Sequence, residues 1–278
     1  MMYNSGVGTT AVIGDVGGEF AQLVTCLSSL GVSATAWPEG LHVVQVGDLF
    51  GGTAHDVDVA HLVQPHLYAG RWTQLVGNWE LSAVGGPEVS SKRGVSADQE
   101  ALSMFSRWHG AGLVRYATTV VSASGRTAVV THAGLTRSWL SKNVHGRLED
   151  ASVVVTAVNN ASPAVLHFGG EMFQGSREHH GAAPSPVWAS TAELWRSWVD
   201  TPTPWPQIHG HTTSRDWRRR RWTDWTPSQL AEHAHADDDR RRVRWQPAGH
   251  PHPIWGIDPG LWQRSPAGSL QPLVITGP

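Results

Sequence analysis

Residues 10–18 read Thr10-Ala11-Val12-Ile13-Gly14-Asp15-Val16-Gly17-Gly18. A short apolar run stops at a glycine, and an acidic residue follows at once. The run reads as a buried strand. Glycine permits a sharp backbone turn directly after it, so Asp15 is delivered to the strand's carboxyl end. The pattern repeats: Leu41 to Val46 runs into Gly47-Asp48, and Trp72 to Val76 into Gly77-Asn78. Between these strands lie two helical segments. One is Glu19 to Leu30, amphipathic and carrying Phe20, Leu23, Val24, Leu27 and Leu30; the other is Val57 to Leu67. Strand, helix, strand, helix, strand predicts βαβ units with right-handed crossovers. In α/β sheets ligands collect just beyond the carboxyl ends of the strands.

The chain continues with a loop from Val84 to Val95, a helix from Ala97 to Trp108, and strands at Val114 to Val121 and Ala128 to Thr131, the second ending at His132. Helical stretches follow near Ser138 and from Glu149 to Val158, then an irregular loop from Gly169 to Pro186 and a helix from Ala189 to Val199. Pro202, Pro204 and Pro206 break the chain before Gln207-Ile208-His209. Arg215 to Arg244 is the most polar segment, with Arg218 to Arg221 and Arg240 to Arg242 set against Asp237 to Asp239. It reads as a solvated loop or hairpin that neutralises its own charge, the alternative being an anion-handling edge beside a site. Strand character returns at Val243 to Trp245, Ile254 to Ile257 and Leu273 to Thr276. With no repeat and no linker, residues 1–278 are expected to form one domain.

Composition removes several function classes. Hydrophobic residues make up 40% and charged residues 16%, enough apolar material for a full core. Lys and Arg number 21 against 23 Asp and Glu, a net charge of -2 that speaks against nucleic-acid and membrane-surface partners. Cys26 is the single cysteine, so neither an internal disulfide nor a cysteine-based zinc site can form. Any metal must be held by His, Asp, Glu or Asn, and 16 histidines supply imidazole. Met1 to Thr10 lacks a basic region followed by an apolar run, and no stretch nears the roughly 18 apolar residues that span a bilayer. A cytoplasmic location is expected. Lysine stands only at Lys92 and Lys142, and the Arg, Ala, Gly and Pro bias suggests high-GC bacterial coding. Ten of the 15 Trp lie from Trp188 onward, as packing or as an aromatic pocket wall or partner surface.

Five strand-end motifs stand in order: Gly14-Asp15-Val16-Gly17-Gly18, Gly47-Asp48-Leu49-Phe50-Gly51-Gly52, Gly77-Asn78-Trp79-Glu80, Thr131-His132-Ala133-Gly134 and His209-Gly210-His211-Thr212. Together they resemble the metallophosphoesterase (calcineurin-like) superfamily. Within it they are similar to the protein Ser/Thr phosphatase and diadenosine-tetraphosphatase branch, whose motifs run GDxHG, GDxxDRG, GNH(D/E), HAG and GH. The resemblance spans about residues 10–213. It implies an α/β fold, a four-layer α-β-β-α sandwich in which residues 214–278 complete the second sheet. It also implies a divalent transition metal, Mn, Fe or Zn. Asp15 would hold a first ion, Asp48 would bridge, and Asn78, His132 and His211 would complete the second site. A two-metal hydrolase sets its ions about 4 Å apart, so a carboxylate bridges them, and the pair activates water and clamps phosphoryl oxygens. His209, two residues before His211 and on the same side of a strand, either lines the site or packs.

The departures are as informative as the matches. The motif histidine of the first ion is Gly17, and the Asp and Arg of GDxxDRG are Gly51 and Gly52. The histidine that serves the leaving group is Trp79, whose indole donates one hydrogen bond but transfers no proton at ordinary pH. Glu80 keeps its place without the histidine it would orient. Losing the general acid and the arginine each costs on the order of 10²-fold or more in rate. The expectation is one strong ion at Asp48, Asn78, His132 and His211 and a weak or absent one at Asp15, with His55 a substitute ligand. Asp48, Asn78, Trp79, His132 and His209 make up the expected catalytic set. Three functions compete. One is a metal-dependent phosphoesterase-like hydrolase with an altered, mononuclear site. Another is a pseudophosphatase that binds a small-molecule or phosphorylated ligand in the metal cleft without turnover. The third is a repurposed Lewis-acid metalloenzyme of specialised metabolism acting on a non-phosphate substrate.

Overall fold

The computed structural model describes residues 8–89, 96–170, 183–261 and 268–277. Met1 to Val7 and parts of the two expected loops, 90–95 and 171–182, lie outside the described residues. The chain begins as its periodicities predict, with β1 (Thr9–Ile13), α1 (Phe20–Ser29), β2 (Leu41–Gln45), α2 (Asp56–Tyr68) and β3 (Trp72–Leu75). A 3-10 helix (Asn78–Val84) leads to α3 (Gln99–Gly110), β4 (Val114–Arg115), β5 (Ala117–Val121), β6 (Thr127–Thr131), α4 (Arg137–Asn143), α5 (Ala151–Asn159) and α6 (Pro163–Leu166). Then come α7 (Thr191–Trp198), β7 (Gln207–His209), β8 (Arg215–Asp216), β9 (Arg221–Trp222) and α8 (Ser228–Ala231). β10 (Ala234–Asp237), β11 (Arg242–Trp245), β12 (Ile254–Gly256) and β13 (Leu273–Thr276) close the chain. Asp98, Asp150 and Ser190 start α3, α5 and α7 by accepting first-turn N–H groups.

Two sheets face each other. The first runs β13-β1-β2-β3-β4, parallel except for β13; the second runs β10-β11-β12-β7-β6-β5, with β12, β7 and β6 mutually parallel. Period-two alternation decides which faces meet. Val12, Val44 and Leu75 of the first sheet pack with Val120, Val130 and Ile208 of the second. Ala11, Ile13, Val43 and Val129 belong instead to the larger apolar core that includes the helices. The result is the α-β-β-α layering that the resemblance implied.

Two expectations are corrected. Val114 to Val121 reads as one strand but is two: β4 joins β3 in the first sheet and β5 joins β6 in the second. The switch falls at Tyr116, where Asn159 Oδ1 accepts both Tyr116 N–H (2.8 Å) and Ala117 N–H (3.0 Å). Residues 214–278 complete the second sheet only in part. β10, β11 and β12 do so, but β13 pairs with β1, Thr276 opposite Thr9. The polar segment folds as the antiparallel pairs β8–β9 and β10–β11. Its charges meet each other, as in Arg215–Asp238 (2.9 Å), Arg240–Asp237 (3.2 Å) and Arg220–Asp239 (3.3 Å). No helix among the described residues is long and apolar enough to cross a membrane.

Candidate metal centre

Strands from both sheets deliver polar residues to one edge of the sandwich. β1, β2 and β3 lead to Asp15, Asp48 and Asn78; β6, β7 and β12 lead to His132, His211 and Asp258. Their turns are too close for side chains at the glycines. A Cβ on Gly77 would lie 2.0 Å from Asp48 N, and one on Gly210 would lie 1.9 Å from Asp15 Oδ1. Asp48 and His211 take left-handed φ angles of 52° and 67°, a strain of order 1–3 kcal/mol each that persists only where surroundings enforce it. Two carboxylates enforce it here. Glu80 accepts the N–H groups of Gly77 (2.9 Å), Asp48 (3.0 Å) and Phe50 (3.1 Å). Both oxygens of Asp15 accept His211 N–H, at 2.9 and 3.1 Å. Glu80 thus has a role the sequence did not suggest: it clamps together the two turns that bear Asp48 and Asn78.

The centre itself is built around His132. Its Nδ1 lies 3.1 Å from Val46 O. A carbonyl only accepts, so the proton sits on Nδ1 and the Nε2 lone pair faces the cleft. Asn78 Oδ1 and His211 Nδ1 stand 3.0 and 3.1 Å from that Nε2 and 2.9 Å from each other, with Asp48 Oδ1 at 3.5 Å. Ligands about 2.1 Å from an ion are about 3 Å apart at adjacent octahedral corners, so the observed separations suit one divalent cation. A proton on His211 Nδ1 is the other way to join these acceptors. Desolvation works against adding further protons: it lowers His132 well below its ordinary value, and with His209 nearby takes His211 down to about 3. The donor set fits a divalent cation.

The other expected site residues fall in different places. Asp15 lies beside the cluster, and its carboxyl is raised well above the ordinary range by burial, then by the charges of Asp258 and Asp48. Trp79 N–H donates to Asp48 Oδ1 (3.0 Å), while its ring is partly buried against the larger apolar core. His209 is fully buried, with Nδ1 2.9 Å from Gly210 O, and burial lowers it to about 4. A group so lowered is not poised to shuttle protons at neutral pH. His55 is corrected outright. It stands at the start of α2, largely exposed, paired with Asp58 at 2.9 Å. Its neighbour Asp56 points inward instead and accepts Gly51 N–H (3.2 Å) and Gly52 N–H (3.0 Å), pinning the loop that lacks the motif arginine.

Asp258 escaped the sequence reading. β12 runs parallel to β7 with Gly256 opposite His209, so Asp258 stands level with His211. It is buried, and burial pushes its carboxyl up to about 6. The signal was present: Ile254 to Ile257 reads as a strand, and Gly256-Ile257-Asp258 repeats the strand, glycine, carboxylate order.

No protein-family model and no curated protein matches the chain. Among solved structures it is similar to a cold-active protein tyrosine phosphatase at 14% identity and TM-score 0.52, over 97% of this chain and 74% of that one. A weaker likeness, TM-score 0.46 at 13% identity over 98% and 80%, is to a protein serine/threonine phosphatase from Saccharomyces cerevisiae. Another, at 0.40 and 14% over 99% and 96%, is to a structure assigned as a diadenosine tetraphosphatase. At these identities the likeness establishes the fold alone. That fold is the metallophosphoesterase, calcineurin-like one.

Proposed function

We propose that this protein is a metal-dependent phosphoesterase-like hydrolase with an altered site, centred on one divalent transition metal ion, Mn, Fe or Zn. Asp48, Asn78, His132 and His211 hold that ion. One observation carries the reading: Asn78 Oδ1, His132 Nε2 and His211 Nδ1 converge within 3.1 Å of one another, with His132 in its ligating tautomer. Mixed nitrogen and oxygen donors suit these ions. Asp48, His132 and His211 also meet the plain distance requirement, one ligand atom each within 4.8 Å. A divalent cation there supplies Lewis-acid charge at a phosphoryl oxygen and makes water a stronger acid. The chain's own residues keep the cleft in shape: Asp15 holds the His211 turn, and Glu80 holds those of Asp48 and Asn78. With Trp79 and Gly52 in place of a proton donor and a guanidinium, small phosphomonoesters turn over slowly. The cleft favours a small-molecule or phosphorylated ligand whose charge needs no arginine clamp.

Elemental analysis and hydrolysis of p-nitrophenyl phosphate test this together. The protein should retain an ion and show slow, chelator-sensitive turnover, and His132→Ala should lose both. A His132→Ala protein that keeps its metal rejects the ligand set, and chelator-insensitive turnover rejects metal dependence. Trp79→His combined with Gly52→Arg should raise the rate by on the order of 10²-fold or more. Metal retained with no turnover in either protein would favour a binding module without catalysis.

A further inference from the structure

Away from the metal centre, at the other end of the second sheet, the two sheets leave a cavity of about 400 Å³ between them. Arg126, Pro206 and Pro253 stand just before β6, β7 and β12, whereas His132, His211 and Asp258 follow the same strands. The walls come from both sheets: Val120 and Ile208 from the second, Leu273 and Ile275 from β13, the edge strand of the first. Leu273, Ile275 and Trp255 are only partly buried against the core between the sheets. Cross-strand register sets the chemistry of the opening. Residues opposite one another on neighbouring strands point to the same face of a sheet. Arg244, Trp255 and Ile208 stand opposite one another across β11, β12 and β7. Ile208 is buried in the core between the sheets, so the row that starts there ends with an arginine turned to the same side. The Arg244 guanidinium lies 6.0 Å from the centre of the Trp255 ring and donates to Gln246 Oε1.

Charge selects the occupant. Arg220, Arg240 and Arg242, from the same polar segment, each meet an aspartate. Arg126 and Arg244 are exposed and pair with no carboxylate among the described residues, and no Asp or Glu among them lines the cavity. An exposed arginine on its own needs no partner. Two of them at the mouth of an apolar floor make a site for a molecule with one charged end and one apolar end. We infer that this cavity binds a small amphipathic carboxylate, with its apolar body on Trp255, Leu273 and Ile275 and its head on Arg126 and Arg244. The guanidinium fork matches the two oxygens of a carboxylate. Ser122 and Gln246 are the other polar side chains at the cavity, too few to replace the water of a phosphate dianion. The site lies at the opposite end of the strands from the metal centre and does not depend on it.

Calorimetry on the full chain tests this with decanoate as the probe, below its micelle-forming concentration. Decanoate should bind saturably, a single molecule per chain, and decanol, which lacks the charge, about 10-fold more weakly or worse. Acetate, the head without the body, should give no measurable binding. Arg126→Gln and Arg244→Gln should each weaken decanoate by about 10-fold. Both side chains are exposed, so Tm and metal content should stay at the wild-type values, and the result stands apart from the metal centre. No saturable binding, equal affinity for decanoate and decanol, or full affinity in both arginine variants overturns the carboxylate site. A chain that sediments as a dimer and falls to a monomer in Arg244→Gln assigns the cavity to a second copy and overturns it equally.

Discussion

Glu80 is fully buried and accepts three backbone N–H groups, yet desolvation still pushes its carboxyl up to about 7 from an ordinary 4.5. Between those two values the native state keeps a proton that the unfolded chain has released. Its contribution to stability is therefore complete below pH 4.5 and is lost as pH rises toward 7. His132, His209 and His211 are lowered by burial and tilt the profile the other way. They are common to wild type and Glu80→Gln, so they cancel in the difference. Denaturant unfolding of the two metal-free proteins from pH 4.5 to 7 should show wild type losing stability relative to the variant. Parallel profiles would mean that Glu80 is already ionised in the native state under acid conditions.

Asn159, at the end of α5, holds the point where the chain leaves one sheet for the other. Its amide accepts Tyr116 and Ala117 N–H and donates to Ala117 O at 3.0 Å. Asn159→Ala leaves two backbone donors without their acceptor, which costs roughly 1–3 kcal/mol each where they stay dry. Urea unfolding should accordingly show a loss of about 2–4 kcal/mol, while His132 keeps its place just after β6 and metal stoichiometry is unchanged. An unaltered urea midpoint would show that water replaces the amide. The switch was not legible in Val114 to Val121, because the amide that makes it lies 43 residues away. Helix starts were legible to within a few residues: Asp98, Asp150 and Ser190 act through N–H groups two or three positions on.

At the scale of the whole molecule, the proposed metal centre makes ion binding and folding one equilibrium. The ligands come from both sheets, so the unfolded chain offers no site. An ion at 100 times its Kd then stabilises the native state by about 2.7 kcal/mol. For a domain of this size that amounts to a Tm rise of roughly 5 °C, reversed by chelation. A Tm indifferent to metal would place the ligands in a part of the chain that opens before the rest. Cys26 provides a separate probe. It is buried on α1, and burial pushes its thiol up to about 12, so almost no thiolate exists at pH 8. A thiol reagent should label it only through opening of the native state, and more slowly with metal bound.

The turns bearing Asp15, Asp48, Asn78, His132 and His211 were readable because each is a local object: a strand period, a glycine in most cases, and a short polar side chain within a few residues. What they assemble into was not local. His211 N–H is held by Asp15 across 196 residues, and Asp48 N–H by Glu80 across 32. Neither pairing leaves a mark in the spacing of either motif. The same physics removed His55, which chain distance puts near Asp48 but whose side chain faces solvent at the start of α2 and pairs with Asp58. It also admitted Asp258, which lies 47 residues past His211 in sequence but reaches the same edge through the parallel pairing of β12 with β7. The sequence by itself determined the first three strands, the turns that follow them and the candidate ligand types they carry. Only the tertiary structure decided which carboxylates share the cleft, because that depends on how two sheets pack face to face.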